Sequence, residues 1–336
     1  MDFSVNTNPL GPPKFLDHVV RKCLDDGVLL YYPDYEYASL RQYIAEFYGC
    51  DVDSIIATNG ANEAINLVLT ALRRDIVVIE PSYGEYEDVA RAINVNYSYI
   101  LYRVGDGEYH LNLSDLDVFC RDPSKLIVIT NPNNPTGNYV SRDKLMKYAC
   151  ECSSTFLIDE SYVELCDECP YELNTSIPEN VVIVRSLGKV LSLPGLRFGF
   201  LFSPNERLIN MVNALRQPWN VNSLAECVIS DILSRPDVFR EFIDTSRRYI
   251  SRERARVMGK LSGLGVKVFK SSTNFLLLNL GVNAVRVIDG LESRGIFIRR
   301  CHSFKGLGEE YIRISIRRPE DNDVLLSALE GILGGP

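Results

Sequence analysis

Short, wholly apolar runs recur along this chain at intervals filled by longer segments of helical period, and that alternation leaves few architectures open. Ile76 to Ile79, Leu126 to Thr130, Thr155 to Ile158, Val181 to Val184 and Phe198 to Phe202 are rich in Val, Ile, Leu and Phe without polar alternation. Strands buried on both faces have that texture. Between them, Ala61 to Arg73, Tyr86 to Ile93 and Ser141 to Cys152 read as helices, with Ser141 placed as an N-cap. Strand and helix in alternation predict an α/β protein, its mainly parallel sheet covered by helices.

After Ser203 the texture changes to helical segments at Pro204 to Leu215, Ser223 to Leu233 and Pro236 to Leu261. The remainder reads as strands Val266 to Phe269 and Phe275 to Leu278, helix Val285 to Ser293, strands Ile296 to Arg299 and Tyr311 to Ser315, and helix Glu320 to Ile332. A chain of 336 residues exceeds the usual single core. We expect a large domain over residues 31–235 and a small α/β domain over 1–30 with 236–336. No repeat, low-complexity tract or Pro/Gly/Ser linker separates them, so they should pack closely.

Charge and composition exclude several classes of function. The net charge is −8 and the Lys and Arg residues are dispersed, so no basic stripe is available for a nucleic-acid backbone. No apolar run reaches the roughly 18 to 20 residues of a membrane helix, and the start Met1-Asp2-Phe3-Ser4 has no signal-peptide character. A cytoplasmic location is the expectation. The nine cysteines, an odd number, point to reduced thiols. Cys150, Cys152, Cys166 and Cys169 have spacing compatible with a four-thiolate metal site. A strand from Thr155 to Asp159 would hold Cys152 and Cys166 on the order of 17 Å apart, so no metal is expected. His18, His110 and His302 have no triad-like or zinc-like companions.

The most chemically pointed string is Ser186-Leu-Gly-Lys189-Val-Leu-Ser-Leu-Pro-Gly-Leu-Arg197-Phe-Gly, directly after a buried strand. Taken alone, Lys189 reads as one more solvated lysine. Its neighbours change that reading, because the Ser186 hydroxyl and the Arg197 guanidinium suit a phosphate dianion beside a lysine that can be desolvated. Asn59-Gly60-Ala61-Asn62-Glu63 offers either a plain capped helix start or a second anion cradle. Asn131-Pro-Asn-Asn134-Pro-Thr-Gly137 and Asp159-Glu-Ser-Tyr162 both follow buried strands, at the edge where open α/β sheets bind ligands. Asp159 is placed either to cap the next helix or to pair with a protonated ring nitrogen, with Tyr162 beside a ring hydroxyl.

Together, in type and in order, these strings resemble the class I/II aminotransferases over essentially the whole chain. The resemblance implies the fold of pyridoxal-phosphate-dependent transferases (fold type I), with a seven-stranded large-domain sheet. It implies that Lys189 holds pyridoxal 5'-phosphate as a Schiff base and moves protons, that Asp159 meets the pyridine nitrogen, and that Asn134 and Tyr162 meet the ring hydroxyl. Ser186, Arg197, Ala61 and Asn62 would hold the cofactor phosphate. Tyr83 matches the aromatic that stacks on the ring, and Tyr32, in Tyr31-Tyr32-Pro33-Asp34, matches a tyrosine that reaches the partner subunit's phosphate, which implies a homodimer. Arg313 corresponds to the residue that pairs with a substrate carboxylate, Arg299 to a contact with a substrate phosphate, and Asn8 to a substrate contact.

Two branches with phosphorylated substrates compete, threonine-phosphate decarboxylases of cobalamin biosynthesis and histidinol-phosphate aminotransferases. Asp2-Phe-Ser-Val-Asn-Thr-Asn-Pro-Leu-Gly-Pro, Leu193-Pro-Gly-Leu-Arg and Pro218-Trp219-Asn-Val-Asn look more like the first. Both branches usually carry more sequence ahead of this start, and Gly188 stands where a hydroxyl residue commonly adds a phosphate contact. A regulator that binds the cofactor without turnover is a third reading. Such regulators generally carry a DNA-binding segment, and none is visible.

Overall fold

The computed structural model describes residues 1–173 and 176–334. The expected large-domain span thus includes two residues, 174–175, outside the described ones, and the expected small-domain span ends in two more, 335–336. In chain order the strands are β1 (Ile55–Thr58), β2 (Asp75–Glu80), β3 (Tyr97–Leu101), β4 (Arg103–Gly105), β5 (Glu108–His110), β6 (Lys125–Thr130), β7 (Thr155–Asp159), β8 (Val181–Ser186), β9 (Gly199–Phe202), β10 (Lys267–Val268), β11 (Phe275–Asn279), β12 (Arg299–Arg300) and β13 (Tyr311–Ser315). The helices are α1 (Leu16–Asp25), α2 (Ala38–Tyr48), α3 (Gly60–Leu72), α4 (Glu85–Ala92), α5 (Asp117–Cys120), α6 (Arg142–Cys150), α7 (Leu187–Val190), α8 (Glu206–Leu215), α9 (Ser223–Leu233), α10 (Pro236–Gly263), α11 (Val285–Glu292) and α12 (Pro319–Leu333).

Seven strands form the main sheet in the order β1-β9-β8-β7-β6-β2-β3. β2, β3, β6, β7 and β8 run parallel, while β9 is antiparallel to both its neighbours. Alternation sends successive side chains to opposite faces. Leu157, Val182 and Val184 pack with Ile65, Val68 and Val89 on one side, and Ile158 and Ile183 pack with Phe47, Ile229 and Ile243 on the other. Apolar burial on both faces explains why β2, β6 and β7 are wholly apolar between their first and last residues.

The four-stranded sheet of the small domain runs β10-β11-β13-β12. Its strand after α11 differs from expectation, because Ile296 to Phe297 does not join it. Phe297 instead bridges Asp2 in parallel, with Phe3 N–H donating to Phe297 O at 2.7 Å, and the paired stretch begins at Arg299. The expected segment 1–30 is also divided by its packing. Phe3 enters the small-domain core with Leu276 and Ile312, whereas Leu16, Val19 and Cys23 enter the large-domain core. Along α10, Phe239 and Ile243 belong to the large core and Val257 and Leu261 to the small one, so one helix joins both.

The thiols depart from the reduced state expected of them. Cys23 is bonded to Cys227, Cys120 to Cys152 and Cys166 to Cys169, leaving Cys50, Cys150 and Cys301 free. Sequence spacing conceals the first pair because α1 meets α9 only after folding, across a separation of 204 residues. Ser141 does precede α6, but its hydroxyl makes no cap bond. Among the described residues no helix is long and apolar enough to cross a membrane.

Candidate active site

The polar residues that end the central strands converge. Thr130 closes β6, Asp159 closes β7 and Ser186 closes β8. With α3 and α7 they enclose a cavity of about 180 Å³ lined by Ala61, Asn62, Ile65, Tyr83, Thr130, Asn134, Asp159, Ser161, Tyr162, Ser186, Lys189 and Arg197. Nine residues singled out from sequence therefore meet in one place, at the C-terminal edge of the parallel strands.

One pole of the cavity is built for an anion. Gly60 opens α3 with φ +77°, a left-handed backbone that favours glycine, and a Cβ on it would lie 2.8 Å from Arg197 Nη2, so it would push the guanidinium aside. Arg197 itself has φ 59°, a left-handed backbone uncommon for a non-glycine residue, which follows the turn at Pro194–Leu196. Glu63 accepts from Asn59 N–H at 2.5 Å and from Asn220 Nδ2 at 2.7 Å, covering the entrance to α3 from outside. Ala61 and Asn62, in the first turn of α3, line the cavity, which puts the anion-binding end of a helix beside it. Ser186, the N-cap of α7, spends its hydroxyl on no cap bond. At Gly188, a Cβ would come within 3.3 Å of Leu193 O, which restricts that position to a small residue.

Opposite stands Asp159, with Ser161 N and Oγ donating to Oδ1 at 2.9 and 2.5 Å and Tyr86 OH donating to Oδ2 at 2.7 Å. Burial raises its pKa, opposed by those hydrogen bonds and by the Lys189 charge. Lys189 Nζ lies 5.8 Å from the centre of the Tyr162 ring. Tyr83 donates its hydroxyl to Asn62 Oδ1 at 3.2 Å and meets Tyr86 edge to face.

A cationic region adjoins this cavity through Asn134, whose Oδ1 accepts from Arg313 Nη1. Arg313 is buried and donates from Nη2 to Ser4 O at 2.6 Å, and burial lowers its pKa. Arg299 is exposed and lies directly opposite Arg313 in the β12–β13 ladder, so both side chains leave the same face. Neither has a carboxylate partner among the described residues, whereas Arg300 pairs with Glu309.

Two expected residues are placed elsewhere. Asn8 is not free to meet a substrate: its amide donates to Val190 O at 2.9 Å and Ser246 Oγ at 2.8 Å, and its Oδ1 accepts from Leu10 N–H at 3.1 Å. Its backbone N–H donates to Lys189 O at 3.0 Å, so it braces the lysine segment from behind. Tyr32 lies outside the cavity of its own chain, exposed and packed on Trp219 with ring centres 4.4 Å apart.

Four polar residues at the site carry no functional signal in the sequence reading. Asn6 is buried with Nδ2 3.5 Å from Tyr162 OH and with no partner for its Oδ1 among the described residues. Tyr86, Thr130 and Ser161 surround Asp159. Ser161 lies inside a motif already singled out and Thr130 ends an expected strand, so position could have pointed to both. Asn6 lies inside the string that starts at Asp2, whereas Tyr86 gives no local signal.

Among known proteins, the family described as aminotransferase class I and II matches residues 1–329. The chain belongs to that family. A provisionally named threonine-phosphate decarboxylase of Caldanaerobacter subterraneus subsp. tengcongensis is 32% identical over 97% of this chain and 89% of its own. The crystal structure of the histidinol-phosphate aminotransferase from Clostridium acetobutylicum superposes with TM-score 0.88 at 30% identity, covering 99% of both chains. That of L-threonine-O-3-phosphate decarboxylase from Porphyromonas gingivalis gives TM-score 0.83 at 28% identity, again over 99% of both. The architecture is therefore that of the fold type I enzymes, as expected. This aminotransferase-family enzyme belongs to a class that depends on pyridoxal phosphate, and the donors present fit that group: an anion cradle that a Cβ would fill, an amine and a buried carboxylate around one cavity.

Proposed function

We propose that the chain is a pyridoxal-phosphate enzyme acting on a small phosphorylated amino acid or amino alcohol, with threonine O-3-phosphate, decarboxylated to 1-aminopropan-2-yl phosphate, as its preferred substrate. The cross-strand pair Arg299 and Arg313 carries the substrate class. Like charges opposite one another in a ladder are destabilising, so two guanidiniums without carboxylate partners suit a ligand with two anionic groups. A carboxylate at buried Arg313 and a phosphate at exposed Arg299 satisfy both.

When bound, pyridoxal phosphate supplies an electron sink for the α-carbon of an attached amine. Ser186, Arg197 and the start of α3 would hold its phosphate, Asp159 its ring nitrogen, Asn134 and Tyr162 its ring hydroxyl, and Tyr83 its ring face. Lys189 is the amine that would hold the group between turnovers and then carry a proton to or from the α-carbon. Arg313 would aim the substrate carboxylate and so decide which substituent of the α-carbon is presented for reaction beside Lys189. Tyr32, exposed beside Trp219, would reach the phosphate of a second copy in a homodimer.

A second reading, histidinol-phosphate aminotransfer to 2-oxoglutarate, is favoured by the 0.88 TM-score to an enzyme so named. Supplying threonine O-phosphate without an acceptor separates the two. Carbon dioxide release supports the lyase, glutamate formed only from histidinol phosphate with 2-oxoglutarate supports the transaminase, and turnover of neither discards both. Borohydride trapping that labels no peptide containing Lys189 would remove the cofactor assignment.

A further inference from the structure

Behind Asp159 runs a line of hydroxyls that the residues assigned above leave unexplained. Ser82 Oγ lies 2.9 Å from Thr130 Oγ1, Thr130 Oγ1 lies 2.9 Å from Tyr86 OH, and Tyr86 OH lies 2.7 Å from Asp159 Oδ2. Ser82, Thr130, Tyr86 and Asp159 are all buried.

Each hydroxyl has one proton, and that count decides the direction of every bond. An ionised Asp159 accepts only, so the Tyr86 proton points to Oδ2. The contact between Thr130 and Tyr86 must then use the Thr130 proton, and the contact between Ser82 and Thr130 must use the Ser82 proton. The chain runs one way, Ser82 to Thr130 to Tyr86 to Asp159, and hydrogen bonds aligned in one direction strengthen one another. A proton on Oδ2 aimed at Tyr86 would reverse all three bonds, and one aimed elsewhere would still replace the charge-assisted bond with a neutral one. Oδ1 is held independently by Ser161 N and Oγ, so both oxygens are restrained on the protein side. Across the cavity, the charge acting on this carboxylate is that of Lys189.

We infer that Ser82, Thr130 and Tyr86 form a directional hydroxyl chain that holds Asp159 ionised and aimed at the cofactor ring nitrogen, which makes Tyr86 a positioning residue for the reaction. The inference rests on the proposed role of Asp159. It also grades its members: Tyr86 touches the carboxylate, Thr130 acts one bond away and Ser82 two bonds away.

The test is a double-mutant cycle read by pyridoxal-phosphate affinity, from absorbance titration of the apoenzyme, and by kcat. Tyr86→Phe should weaken cofactor binding on the order of tenfold or more, the loss of one hydrogen bond to a charged group. It should lower kcat with little change in KM, since Tyr86 is not among the residues placed at the substrate. Thr130→Val should act in the same direction, a few-fold, and Ser82→Ala less again. In an Asp159→Asn background the Tyr86 and Thr130 substitutions should lose most of their effect. Effects that add in full to that of Asp159→Asn, or a Tyr86→Phe enzyme with wild-type affinity and kcat, would overturn the chain while leaving the cofactor assignment intact. Wild-type protein that takes up no pyridoxal phosphate would overturn both. Should Tyr86→Phe fail to fold, Thr130→Val in both backgrounds decides the same question by the same criteria.

Discussion

Asp159 carries a burden before any ligand arrives, because it is a carboxylate closed off from water at the end of a central strand. Burial raises its folded-state pKa above the unfolded value, so the fold binds the proton more tightly than the open chain does. That contribution stabilises the ligand-free protein below the ordinary aspartate range and is lost as pH rises through the folded value. Asp159→Asn stays neutral throughout. The apo variant is expected to melt above wild type near neutral pH, with the gap closing in acid, and calorimetry at the two pH values checks the sign. A gap that widens in acid would show that the hydrogen bonds from Tyr86 and Ser161 outweigh burial. Arg299 allows a second prediction at this scale. Exposed and without a carboxylate partner among the described residues, it holds only Ser303 Oγ and the face of Phe304, so Arg299→Ala should raise KM for a phosphorylated substrate about tenfold or more and leave that for an unphosphorylated analogue nearly unchanged. Equal losses on both substrates would remove the phosphate assignment.

At the scale of elements, β7 and β8 are locked together on the face opposite the cavity. Glu160 accepts from Arg142 and from Arg185, each at 2.7 Å, and Arg185 reaches on to Glu164 at 2.9 Å, where the Tyr48 hydroxyl also donates. All four charged side chains are buried and their charges cancel. Arg185→Met would leave Glu164 with only a tyrosine, and breaking one side of a buried ion pair costs about 3–5 kcal/mol, measurable by urea unfolding. A loss under about 1 kcal/mol would mean that water reaches the cluster. This network was invisible in the sequence, although its members flank residues read as functional: Glu160 follows Asp159 and Arg185 precedes Ser186. Strands buried on both faces were legible because burial imposes an unbroken apolar run on β2, β6, β7 and β8. β1 has four residues, and β3 at the sheet edge has no buried position, so neither gives a run long enough to stand out. The candidate site was legible for a related reason. Lys189, Asp159 and Asn134 sit at or directly after strand ends, where motif and position coincide, whereas Tyr86 joins the site through tertiary packing alone.

For the whole molecule, the features hardest to anticipate are those that join distant segments. The Cys23–Cys227 bond ties α1 to α9, and closing a loop of 204 residues stabilises by about 5 kcal/mol in the chain-entropy account. Cys227→Ser is expected to lower the unfolding free energy by up to that amount, read by guanidinium unfolding, without moving cofactor affinity. Near the same segment lies an apolar surface that a lone chain has little reason to expose. Leu30 and Tyr32 are 79% and 78% exposed, with Leu29, Tyr31 and Trp219 beside them. A contiguous patch of this kind marks an interface. It lies close to the anion pole of the cavity, because Asn220, next to Trp219, donates to Glu63 in the first turn of α3. A second copy seated there by a two-fold axis would bring its own Tyr32 toward this pole, and symmetry would return the contact. Light scattering should therefore find a dimer. Leu30→Asp should shift it to monomer and weaken pyridoxal-phosphate binding together, since the two effects share one surface. Tyr32→Phe should weaken binding about tenfold while the dimer persists, as the loss of one hydrogen bond to a charged phosphate predicts. A monomeric Leu30→Asp protein that binds the cofactor as tightly as wild type would show that each chain completes its own phosphate site and that Tyr32 serves only the packing against Trp219.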